Sequence, residues 1–164
     1  MADSACQLRG LLFLPAQILG AIAAAALIEC MTPGSILTTQ TTLAAGMSEA
    51  QGVFMEMFLT SMLVFTVLML AAEKSKDTYI APIGIGLTLF VIELAGVYYT
   101  GASVNPVRSL GPCVVGRSFV HYHWIYWIGP FLGAIVAAGY YGFVKYLNYE
   151  EANSGQDAST EESA

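Results

Sequence analysis

Four apolar stretches, residues 11–31, 51–72, 79–98 and 124–147, constrain this chain more than anything else in it. Each is close to the roughly 20 residues that an α-helix needs to cross the hydrocarbon core of a bilayer. Only 11% of the 164 residues are charged, where a soluble domain carries about 25%. A chain so built satisfies its backbone polar groups inside lipid as helices. The lengths select helices, so the fold class is an all-α membrane protein.

Between the third and fourth stretches lies a segment that cannot span, residues 99–109, Tyr-Thr-Gly-Ala-Ser-Val-Asn-Pro-Val-Arg-Ser. Asn is a strong N-cap and Pro is favoured at the first helical position. A helix is therefore expected from Pro106 to near Gly116. Ten or so residues at 1.5 Å each reach about 15 Å, half of the ~30 Å core. Such a half-helix can re-enter the membrane and stop at its middle, or lie in a loop. If it re-enters, its first turn offers unpaired N–H groups and about half a positive charge. Asn105 adds amide donors, and Arg108 adds a permanent charge one turn on. Charged side chains at membrane depth are costly, and their default reading is functional. The expected architecture is four transmembrane helices plus one re-entrant half-helix.

Two carboxylates deepen that reading. Glu56 lies inside the second stretch, with Thr60 one turn later on the same face. It needs donors, and the loop amides before Asn105 are the expected ones. Glu93 lies in the third stretch, and Arg108 is its expected partner. Glu29 sits near the end of the first stretch, where it can reach water.

Small residues recur at i+4 in two stretches, as Ala16, Gly20, Ala24 and as Gly129, Gly133, Ala137. Such faces let membrane helices approach closely. Arg9, Lys74, Lys76 and Lys145 fall on one side if the chain crosses four times, so both termini are expected to be cytoplasmic. Arg117 departs from that pattern. The segments are an N-terminal cytoplasmic stretch, 1–10, a transmembrane domain, 11–147, and an acidic, disordered cytoplasmic tail, 148–164. The N-terminus does not read as a signal peptide.

Cys6, Cys30 and Cys113 have no metal spacing, and His121 and His123 lack a third ligand. No nucleophile–base constellation is present either, so neither an enzyme nor a cofactor is expected. A net charge of −6 argues against nucleic acid as a partner.

Several motifs resemble the aquaporin family. Residues 99–109 resemble the family's second Asn-Pro-Ala loop and its filter arginine. Glu56 to Thr60, Glu-Met-Phe-Leu-Thr, resembles the Glu-x-x-x-Thr of the fourth family helix. Residues 81–86, Ala-Pro-Ile-Gly-Ile-Gly, resemble the opening of the fifth. Residues 123–130, His-Trp-Ile-Tyr-Trp-Ile-Gly-Pro, resemble the opening of the sixth. Gln17 and its neighbours resemble the third. Several stretches are similar to fungal members.

The resemblance implies a partial aquaporin fold, covering the third helix and the second repeat. It implies a passive channel for water and small neutral solutes, set in a lipid bilayer and assembled as a homotetramer when complete. Asn105 and Pro106 would line the pore, with Arg108 and Ala102 at the filter. Glu93 would stand where water-selective members carry histidine, and Glu56 and Thr60 would support the loop. Val107 stands where the family has alanine, at the junction of two half-helices. Ser109 resembles the water-selective branch, since glycerol facilitators carry aspartate there. The family pore lies between two repeats, so these segments alone are expected to conduct poorly or not at all. A non-conducting polypeptide that modulates full-length relatives is the alternative. A proton-coupled transporter built on Glu56 and Glu93 is disfavoured, because the Asn-Pro-x-Arg loop explains the site without a proton relay.

Overall fold

The computed structural model describes residues 2–72 and 78–149. Lys74, Lys76 and all but the first two residues of the acidic tail lie outside the described residues, as does the side chain of Arg9. The order is α1 (Ala2–Met31), a 3₁₀ turn (Ile36–Thr39), α2 (Glu49–Val67), α3 (Ala81–Thr100), α4 (Pro106–Val115) and α5 (Ile125–Tyr146). α2 ends in a π-helical turn, Leu68–Ala72, and α3 is entered through a 3₁₀ turn, Thr78–Ile80. No strand occurs among the described residues. Four helices are long and apolar enough to cross a membrane, counted as Gly10–Met31, Glu49–Ala72, Thr78–Thr100 and Ile125–Tyr146.

Local chemistry sets the helix ends. Ser48 caps α2 in a reciprocal box with Gln51, so two orphan amides are satisfied at once. Asn105 caps α4: its side chain accepts the Val107 N–H at 3.0 Å, and Pro106 follows at the first helical position. Gly101 ends α3 with φ of 81°, a conformation that costs little only without a Cβ.

α2 is the centre of the assembly, packed on α5 and on α3. Gly129, Gly133 and Ala137 are all buried on the α5 face. A Cβ on Gly133 would meet the Met57 carbonyl at 2.4 Å, and one on Gly129 would meet the Glu56 Cβ at 2.6 Å. Only hydrogen fits there, and the two backbones therefore touch.

α1 packs on α4 and the 3₁₀ turn. Its contact is Ala21 against Gly111 of α4, with Ala25 buried. The face expected from Ala16, Gly20 and Ala24 is open instead. This helix is alanine-rich around its circumference, so small residues alone could not choose its packing side. Leu12, Phe13, Leu19 and Leu27 are largely exposed along it, as befits a surface meant for lipid or another helix.

Candidate functional site

After α3 the chain turns back into the bundle. Ala102 and Val104 both take left-handed backbone conformations, with φ of 44° and 42°. Each costs about 1–2 kcal/mol in a residue with a Cβ. What holds this strained turn is Glu56, which is fully buried. Its Oε1 accepts from Thr100 Oγ1 at 2.6 Å and from the Ser103 N–H at 2.9 Å. Its Oε2 accepts from the Val104 N–H at 2.8 Å. Hydrogen bonds to a carboxylate are roughly twice as strong as neutral ones. Three together offset the strain, and the mid-helix position of Glu56 fixes the depth of the loop.

The loop delivers α4 to the middle of the bundle. Its start, Asn105 and Pro106, shares a cavity of ≈ 530 Å³ with Leu63 of α2, Leu89 and Glu93 of α3 and Arg108. α4 then runs back toward the loop of residues 32–48, where Gly116 packs on Leu37. It is a half-helix of 10 residues that enters and leaves on the same side.

Trans peptides point N–H and C=O in opposite directions. With the Ser103 and Val104 amides aimed at Glu56, the Ala102 and Ser103 carbonyls point the other way. Asn105 has spent its Oδ1 on Val107 N–H, so its –NH₂ is the half of the amide left for a solute. Both Asn105 and Arg108 are exposed within the described residues.

Some expected contacts differ. Arg108 does not pair with Glu93; its Nη1 donates to the Thr39 carbonyl at 3.0 Å. His121 Nε2 lies 3.3 Å from a Glu49 carboxylate oxygen. Glu93 lines the cavity but stays beyond ion-pair reach, because residues 36–44 lie over Arg108 and supply a nearer acceptor. Thr60 does not reach the loop. Its buried hydroxyl has no hydrogen-bond partner, and it lies against Gly133 where α2 and α5 touch. The side chain of Ala102 points into the core, with Leu59 and Ile92, and not into the cavity. Val107 is likewise buried. Glu29 accepts from the Ile36 N–H and so anchors the 3₁₀ turn.

Several contributors were not picked out from sequence. Thr100 bonds Glu56, and Tyr126, fully buried, donates to the Thr100 carbonyl at 2.9 Å. Residues 36–44 form a strap: besides Thr39, Gln40 Nε2 donates to Cys113 Sγ at 3.0 Å and to the Ser118 carbonyl at 3.1 Å. Ala44 N–H donates to the Tyr99 carbonyl at 2.8 Å. The available signal was the run of hydroxyls and amides at residues 38–42, too polar to be idle beside four spans. Beyond the strap, His123 lies beside Cys113, with Nδ1 to Sγ at 3.6 Å, and burial pulls its pKa below the ordinary 6.5.

The model of the family described as "Major intrinsic protein" matches residues 2–141. The chain belongs to that family. It is 63% identical to "Aquaporin-7" of Botryotinia fuckeliana over 150 residues, covering 92% of this chain and 33% of that relative. It is 58% identical to "Probable aquaporin-3" of Gibberella zeae over 151 residues, covering 92% of this chain and 53% of that relative. "Aquaporin-2" of Botryotinia fuckeliana is 53% identical over 154 residues, which is 41% of its length. The chain thus spans between a third and about half of these relatives. Membership in this family, with four helices apolar and long enough to span, indicates an integral membrane protein.

Proposed function

We propose that the chain forms one wall of an aquaporin-type channel that passes water and small neutral solutes. One observation carries this reading: the N-terminus of a half-helix, the Asn105 amide and Arg108 meet in one cavity at the depth of Leu63 and Leu89. A water entering finds donors from Asn105 and the half-helix and an acceptor in the Ser103 carbonyl. Leu63 and Leu89 make the opposite side apolar, so the water moves along this short ladder. Exclusion of cations by an arginine and half-helix dipoles is the general rule for aquaporin-type pores.

In this reading Asn105 and Pro106 line the pore, Arg108 is the positive barrier and Glu93 tunes the solutes that fit. Glu56 holds the loop. Val107, buried behind the first turn, shapes the junction with an opposing half-helix. Ala102 is fully buried in the core, so the Ser103 carbonyl is the loop acceptor that meets solute. The strap end faces outward and both termini face the cytoplasm, as Arg9, Lys74, Lys76 and Lys145 suggest. The channel is a homotetramer. The open face of α1 and the open side of the cavity favour a second reading in which the chain alone does not conduct and associates with full-length relatives.

The test is stopped-flow swelling of vesicles holding the chain alone or joined behind the first half of a fungal relative. The joined protein should swell many times faster than lipid, and the chain alone at the lipid rate. Joined protein indistinguishable from empty vesicles would overturn the channel reading.

A further inference from the structure

Three buried hydroxyls lie in line between the strap and the half-helix. Thr41 Oγ1 is 2.6 Å from Ser109 Oγ, which is 2.6 Å from Ser103 Oγ, which is 2.8 Å from the Asn105 carbonyl oxygen. Thr41, Ser103 and Ser109 are each at most 2% exposed. Each hydroxyl owns one proton. A carbonyl only accepts, so Ser103 spends its proton on Asn105. The Ser103–Ser109 bond must then use the proton of Ser109, and the Thr41–Ser109 bond that of Thr41. Donation therefore runs one way, from Thr41 to Ser109 to Ser103 to Asn105, and each link polarises the next.

We propose that this one-way chain couples the strap to the half-helix start, with Ser109 the positioning residue that holds the Asn105 main-chain carbonyl. The Asn105 carbonyl also accepts the Arg108 N–H at 3.1 Å, so the chain ends on the first turn of α4. At its other end, Thr41 lies two residues from Thr39, whose carbonyl holds Arg108. Strap and filter are thus tied twice, once through the guanidinium and once through hydroxyls. The consequence for solute rests on the channel reading above; the coupling itself does not.

The polarity makes the test asymmetric. Removing Ser109 takes away both the acceptor of Thr41 and the donor to Ser103, whereas removing the Thr41 hydroxyl leaves Ser109 still donating to Ser103. Hydrogen exchange is measured by mass spectrometry on the full chain in lipid nanodiscs. Ser109→Ala should speed exchange tenfold or more, both in residues 103–110 and in the distant strap, 36–44. Thr41→Val should do so less, and Thr41→Ser should restore protection, which a purely steric role would not. Thr41→Val combined with Ser109→Ala should be less than additive, because Ser109→Ala already breaks the link to Thr41. A strap indifferent to Ser109→Ala, or additive effects, would overturn the proposal. If Ser109→Ala does not fold, Thr41→Val against Thr41→Ser decides: equal protection at residues 103–110 rejects the coupling. These readouts need no conduction, so a silent channel with coupled exchange rejects the channel reading alone.

Discussion

Glu56 offers the sharpest perturbation, because its three donors converge on two oxygens. Glu56→Gln keeps the shape but replaces one oxygen with a donor. The less costly orientation leaves the amide oxygen on Thr100 and Ser103 and sets –NH₂ against the Val104 N–H. One buried amide is then unpaired, at about 1–3 kcal/mol. Glu56→Leu leaves the Ser103 and Val104 amides both unpaired, at about 2–6 kcal/mol, while the Thr100 hydroxyl can rotate away. The strain stored at Ala102 and Val104 then has nothing to hold it, so the loop relaxes before the rest of the bundle. Exchange of the Val104 amide, read by NMR in detergent, reports this directly. With tenfold per 1.4 kcal/mol, Glu56→Gln should speed it roughly 5- to 140-fold and Glu56→Leu more. Thr60→Val, one turn away, is the control: its hydroxyl has no partner, so exchange should not rise. Wild-type protection in Glu56→Leu, or a larger effect for Gln than for Leu, would refute the reasoning.

Gly133→Leu should separate α2 from α5, since even a Cβ would lie 2.4 Å from the Met57 carbonyl; overpacking of this kind costs about 1–3 kcal/mol or more, visible as a lower thermal midpoint in detergent. His123 should make stability fall with acid. Its folded pKa lies below the ordinary 6.5, so the unfolded chain binds more protons between the two values. Stability is full above pH 6.5 and is lost as pH falls from there to the folded pKa. Thermal midpoints at pH 7.5 and 5.0 should differ less in His123→Asn than in the wild type, and an equal difference would count against a half-buried neutral imidazole.

The four spans were legible because length and lack of charge suffice for them. The start of α4 was legible because Asn-Pro is a cap and an N1 residue at once. Glu56 was legible as an intramembrane carboxylate with few possible donors. The strap was not, since its bonds come from backbone groups of Thr39 and Ala44 and from hydroxyls that carry no periodicity. That Arg108 would choose the Thr39 carbonyl over Glu93 depends on where residues 36–44 cross, a long-range fact no spacing encodes. Thr60 misled because sharing a helix face with Glu56 does not supply a hydroxyl with an acceptor. The packing side of α1 was hidden by alanine at most positions between 21 and 26.

The most direct measurement places a thiol on the proposed path. Val104 lines the cavity beside Asn105. Val104→Cys is made in the chain joined to the first half of a fungal relative, with Cys6 and Cys30 changed to serine, and labelled in vesicles. A small methanethiosulfonate should react and cut water permeability at least tenfold, while a bulky impermeant reagent should not react. A small reagent that couples fully, as counted by mass spectrometry, yet leaves permeability unchanged would contradict a water path along the start of the half-helix.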